Sequence, residues 1–178
     1  MTRLGFQVSD IGWRAQRGFT LFELIVVIII ISLLAGAALE RLFFYQELAE
    51  KAAMESTLRV VKTGLQVRLA ELILARREAE APQLETENPT RWLAEKPVNY
   101  AGEYREPPEQ GNWYFDARRR ELVYAANRSN LLKTRVISGA KQLRFRVKLL
   151  TDRFDAPGGP VEAVSGITLV PVYPYLWS

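Results

Sequence analysis

The sequence contains no cysteine and no histidine. Without them there is no Ser-His relay, no thiolate nucleophile, no histidine-ligated metal and no zinc ribbon of any spacing. A disulfide framework is excluded as well, so any part that folds outside the cytoplasm must hold together by packing and hydrogen bonds alone. Neither a Gly-rich phosphate loop nor a paired-carboxylate hydrolase site can be picked out. The 178 residues suit one modest domain plus extras. There is also little charge of either sign in excess. The net charge is +4, from 24 Lys+Arg against 20 Asp+Glu, and residues 1–18, with Arg3, Arg14 and Arg17 against Asp10, hold half of it. The remainder is nearly balanced, which speaks against a general attraction for polyanions such as nucleic acid.

What is present is a long apolar run. Leu24 to Leu39 reads LIVVIIIISLLAGAAL without a charge, and the run extends back to Phe19 with Glu23 as its only interruption. At about 1.5 Å per helical residue it reaches roughly 30 Å, the thickness of a bilayer core. A cleaved secretory signal would have a shorter apolar core, although Ala35-Gly36-Ala37 imitates a cleavage site. A plain signal anchor explains the length and the basic flank, which places the N-terminus in the cytoplasm. It does not explain Glu23, because a carboxylate at the bilayer centre costs up to about 2.5–3.5 kcal/mol and is normally compensated by a partner. Near the edge of the bilayer the cost falls, and there Glu23 could also snorkel to the interface.

Arg17-Gly18-Phe19-Thr20-Leu21-Phe22-Glu23, followed by Leu24-Ile25-Val26-Val27, resembles the class III signal of type IV prepilins and type II secretion pseudopilins. The resemblance implies a leader, residues 1–18, that a membrane-embedded prepilin peptidase removes by cutting after Gly18. It implies that the same enzyme methylates Phe19, the new N-terminal residue. Glu23 would then neutralise the N-terminal amine of a neighbouring subunit inside an apolar filament, where a charge left without its partner is strongly penalised. Other pilin or pseudopilin subunits and an inner-membrane assembly platform are the partners so implied, and no cofactor is. Two departures stand out: Leu39-Glu40-Arg41 occupies the place where many relatives carry a proline, and the leader is longer than the family's shortest.

Beyond residues 19–39, the membrane and assembly half, the chain is rich in Ala, Leu, Glu, Arg and Lys and has no proline before Pro82. One helix from about Phe19 to Ala81 is therefore expected, with residues 40–81 as its amphipathic outer half. Leu58, Val61, Leu65, Leu69 and Leu72 are spaced to share one face against a sheet. Gly64 interrupts the propensity without ending the pattern. Residues 82–178 read as a globular domain that opens with a connector. In it Asn88 can cap a short helix, Pro89 to Glu95, which Pro97 stops. Trp92 and Leu93 would anchor the connector, and Trp92, Tyr100 and Tyr104 suit packing better than a carbohydrate platform.

After Gly111 the period changes to two. Trp113 to Asp116 and Arg120 to Ala125 predict a hairpin like that of many pseudopilin domains, Gln142 to Leu149 alternates strictly, and Gly166 to Val172 is a last strand. The expected class is α+β and pilin-like: a long N-terminal helix on an antiparallel sheet of about four strands. Arg118, Arg119 and Arg120 at a hairpin tip, with Arg128, Lys133 and Arg135 beyond, could bind phosphates, but Asp116 and Glu121 adjoin them and a solvated turn explains them as well. Asp152, Asp155 and Glu162 lie near a Gly-Pro turn, where some major pseudopilins hold calcium. Their spacing fits no EF-hand and Arg153 intrudes, so an ordinary loop is expected and no metal is assigned. The expected role is a non-enzymatic, single-pass subunit of a pilus or pseudopilus with a periplasmic C-terminal domain. The competing role is a membrane-tethered module that binds DNA, carbohydrate or a secreted substrate and uses residues 19–39 only as an anchor.

Overall fold

The structure, a computed structural model, describes residues 19–156 and 159–178. Helix α1 spans Leu21–Leu74 and contributes to two compact units, one ending at Leu42 and the other running Phe43–Ser178. The helix ends seven residues before the expected Ala81. Arg76 takes a left-handed conformation, φ 56°, the Arg77 amide donates to Leu72 O at 2.8 Å and the Arg76 amide to Ile73 O at 3.0 Å. These two bonds make a Schellman stop with arginine where glycine is usual. A 3-10 segment, Glu78–Glu85, follows and carries Ala81 and Leu84 into the core. A second, Pro89–Trp92, is capped by the Asn88 side chain, which accepts from the Thr90 amide at 3.0 Å. It makes one turn rather than the expected two, because Leu93 is already extended.

The sheet is larger than expected and is mixed. Strands β1 (Tyr100–Glu103), β2 (Trp113–Asp116), β3 (Glu121–Ala125), β5 (Val136–Ile137), β6 (Ala140–Ala156) and β7 (Gly159–Pro171) form six strands in the order β1-β2-β3-β6-β5, with β7 also on β6. β1 runs parallel to β2 and the other pairs are antiparallel. β4 (Leu132–Lys133) and β8 (Leu176–Trp177) pair separately. The predicted hairpin is β2-β3, with Phe115 opposite Leu122. β6 and β7 run well beyond their alternating patterns, so most of the expected loop at residues 152–162 consists of paired strand.

One face of the sheet meets α1. Val61, Leu65, Leu69 and Leu72 are buried with Leu122, Tyr124, Leu143, Phe145 and Val147, while Leu58 and Trp92 pack at the edge. Gly64 is where the connector touches the helix: a Cβ there would lie 2.6 Å from Leu93 Cδ2 and 3.1 Å from Trp92 O. Glycine suits that approach, since a Cβ would make the Leu93 methyl move and the Trp92 carbonyl give by a few tenths of an ångström. The opposite face is partly solvated but holds a buried ionic cluster. The Arg144 guanidinium donates to Asp116 Oδ2 and to Glu121 Oε2, both at 3.1 Å, and stacks over the Tyr104 ring at 4.8 Å. Burial pushes the Asp116 carboxyl up, but the Arg119 amide and the Arg144 guanidinium outweigh it and hold the group below its usual range.

Two helix carboxylates fasten distant chain to α1. Glu47 accepts from the Leu131 amide at 2.7 Å and from Trp177 Nε1 at 3.1 Å. Glu50 accepts from the Tyr124 hydroxyl at 2.8 Å and from the amides of Asn127 and Arg128 at 2.7 and 2.8 Å. A third carboxylate, Glu85, accepts from the Leu149 amide at 2.6 Å, beyond Phe145, where pairing of β3 with β6 stops.

Candidate functional site

The start of α1 is built by Thr20. Its hydroxyl accepts from the Glu23 amide at 3.2 Å and its carbonyl from the Leu24 amide at 3.1 Å. That is an N-cap, and it satisfies a donor that an apolar surrounding would leave bare. Glu23 sits in the first turn, where a negative charge also complements the helix dipole. Among the described residues its carboxylate has no hydrogen-bond or ion-pair partner. Phe19 immediately precedes the cap, so a chain that began there would present its amine at the head of the helix.

From Phe19 to Leu39 every residue is exposed, and the apolar ones cover the whole circumference of α1. This stretch is long and apolar enough to cross a membrane, and none of it is buried in protein. The only hydroxyl in its middle, Ser32, is turned back on its own helix and donates to Ile28 O at 2.7 Å. Every polar group inside the stretch except Glu23 is thus settled locally, as a spanning helix requires. A helix apolar all round is buried somewhere, in lipid or among other helices.

The model of the prokaryotic N-terminal methylation motif matches residues 13–39. This is the class III signal of type IV pilins and pseudopilins. No curated protein and no solved structure matches the chain. The class III signal covers Arg17 to Val27, the residues that carried the resemblance, and leads into a stretch of α1 that is apolar and uncovered among the described residues, in a chain of pilin-like α+β fold. Gly18 and the rest of the leader lie outside the described residues. Phe19 and Glu23 lie at the capped end of α1.

The other candidates are dispersed. Arg118, Arg119 and Arg120 are exposed at the β2-β3 tip and line a groove of about 950 Å³ with Arg146, Lys148 and Tyr173. Glu85 and Glu121 share that groove, and Arg119 and Arg146 are paired with Asp116 and Glu121 at 3.4 and 2.8 Å. Arg128 lies over Phe43, Arg135 lies over Tyr173 and Lys133 is exposed. Of the calcium candidates, Glu162 is paired with Arg153 at 3.1 Å, Asp152 lies opposite Ala163 on the other face of the ribbon, and Asp155 lies opposite Pro160. No three acidic side chains among the described residues are gathered to hold a metal ion. Trp92 and Tyr100 pack on the main core and Tyr104 on the opposite face of the sheet, so the three make no common platform. Glu47 and Glu50 escaped the sequence reading. Each looks like a solvated helix acid, and their partners lie 74 to 130 residues away.

Proposed function

We propose that the protein is a structural subunit of a type II secretion pseudopilus or type IV pilus, made as a prepilin held in the bacterial inner membrane with its leader in the cytoplasm. Prepilin peptidase cuts after Gly18 and methylates Phe19. The subunit then joins the fibre through residues 19–39, with Glu23 opposite the amine of Phe19 on a neighbour. The observation that carries this reading is the Glu23 carboxylate, without a partner among the described residues, in the first turn of a capped helix whose apolar stretch is not buried by any of them. A carboxylate so placed is costly in lipid unless something arrives to pair with it. The protein is on this reading a substrate of processing and a mechanical part, not a catalyst, and its small domain suits a minor subunit.

Intact-mass analysis of protein made beside a prepilin peptidase tests it. The expected product lacks residues 1–18 and carries one extra methyl; an uncut chain overturns the proposal. Gly18→Ala should block the cut. Glu23→Val should allow the cut and impair incorporation into fibres, and normal incorporation would refute the charge-pairing account.

A further inference from the structure

Immediately after the apolar stretch, α1 carries Leu42, Phe43, Phe44 and Tyr45, which are 52%, 47%, 49% and 62% exposed. Burial on the globular unit begins at Gln46 and Glu47. Four successive helical residues point in directions 100° apart, so these side chains ring the helix instead of forming a stripe. A partner helix would use one face; a ring suits a medium that reaches every side the chain itself leaves open. Phe43 to Tyr45 follow Leu39 by four to six residues, about 6–9 Å of helical rise, which is close to the thickness of one headgroup layer. Aromatic side chains favour that depth, with an apolar body and, for tyrosine, a wet tip.

A cation accompanies the ring. The Arg128 guanidinium lies over the Phe43 ring at 5.3 Å, and among the described residues it makes no ion pair. The loop that carries it is fixed to α1, because Glu50 accepts from the Asn127 and Arg128 amides and Glu47 from the Leu131 amide. Those contacts, with the Tyr124 hydroxyl on Glu50 and Trp177 Nε1 on Glu47, occupy both carboxylates with other donors, and among the described residues neither forms an ion pair with the Arg128 guanidinium. Arginine is suited to phosphate oxygens and stacks on aromatic faces.

We propose that Phe43, Phe44, Tyr45 and Arg128 form an interfacial anchor for the membrane-resident subunit: the rings lie in the headgroup layer and the guanidinium binds the phosphate of an anionic phospholipid. The inference rests on the membrane-held prepilin reading above. It gives the clamped 126–131 loop a purpose, which is to hold a cation beside the ring at a fixed height on the helix.

Because the chain has no cysteine, a single Asn130→Cys in the full-length protein can carry a nitroxide two residues from Arg128. The protein is placed in vesicles of phosphatidylcholine alone or with phosphatidylglycerol, each containing a nickel-chelating lipid, and the collision rate between label and headgroup is measured. That rate should be up to roughly fivefold higher in the anionic vesicles, as expected of one basic side chain at a charged surface. Arg128→Gln should return it to the neutral value, Arg128→Lys should largely keep it, and Phe44→Ala with Tyr45→Ala should lower it in both lipids. Equal rates in the two lipids, or no response to Arg128→Gln, overturn the anchor. So does spectral broadening that grows with protein density, since a second copy would then cover the ring. Resistance to alkaline extraction and cutting by prepilin peptidase are scored on the same vesicles. Their failure sinks the prepilin reading, whereas their success without headgroup contact sinks the anchor alone.

Discussion

Helix α1 contains two stretches that differ in almost every physical respect. From Leu21 to Leu39 its surface is exposed and, Glu23 apart, apolar all round. From Glu47 to Leu72 one face is buried against a sheet while the other is solvated and mixes polar residues with a few apolar ones such as Val60 and Val67. The two glycines of the helix show the difference in miniature. At Gly36 a Cβ would meet nothing within 4 Å, whereas at Gly64 it would collide with Leu93 and Trp92. The outer stretch is specified by contacts within its own chain. The inner one is specified by solubility in an apolar medium, and any contact that fixes it must come from elsewhere.

The comparison is broken most forcefully by deleting matched side chains. Leu65→Ala should cost about 2–5 kcal/mol, the range for a buried leucine that leaves a cavity, while Ile29→Ala should leave the urea midpoint of the globular unit unchanged in detergent. A midpoint that moves with Ile29 would mean that the inner stretch is not energetically separate. Gly64→Ala should destabilise by about 1–3 kcal/mol through overpacking against the connector. Gly36→Ala should be neutral or slightly favourable to helicity, by less than about 1 kcal/mol. Circular dichroism during thermal unfolding reads both.

Arg76→Gly sharpens the outer boundary. A left-handed conformation costs a non-glycine residue roughly 1–2 kcal/mol, so glycine should raise the free energy of unfolding by up to about that amount without moving the end of the helix. Longer helical protection in amide exchange would instead mean that Arg76 holds the stop in place. The smallest effect concerns pH. The Asp116 carboxyl is held below its ordinary value in the folded state, so the unfolded chain binds its proton first as the pH falls. Its stabilising contribution is therefore complete above the ordinary aspartate value of about 4 and is lost as the pH drops through the lower folded value. Asp116→Asn should flatten the acid limb of stability against pH. An unchanged limb would show that other carboxylates dominate it.

Much of this was legible in the sequence because the signals were local. The apolar run, the Gly-Phe-Thr-Leu-Phe-Glu sentence, the Leu58 to Leu72 stripe and the Trp113 to Ala125 hairpin are each read within one short, contiguous segment of chain. What escaped depends on distance or on unusual chemistry. Arg76 stops the helix in a place that glycine normally marks, so Ala75 to Ala81 looked helical. β6 continues through Thr151-Asp152-Arg153, where no apolar alternation announces a strand, because β7 supplies the backbone partners. β1, β4, β5 and β8 have two to four residues each and leave too short a trace. At the candidate site Phe19 and Glu23 were found from the motif. The ring at Phe43 to Tyr45 could have been noticed as three aromatics in a row, but Arg128 beside it could not.

Glu85 has a consequence for how the protein keeps its own company. By occupying the Leu149 amide it stands in for a neighbouring strand at the point where β3 gives out, and it is a stand-in that carries a charge. An intruding chain would have to displace a carboxylate before it could zip onto the ribbon there. Edge-to-edge pairing of crowded copies is thereby discouraged at this point of the ribbon.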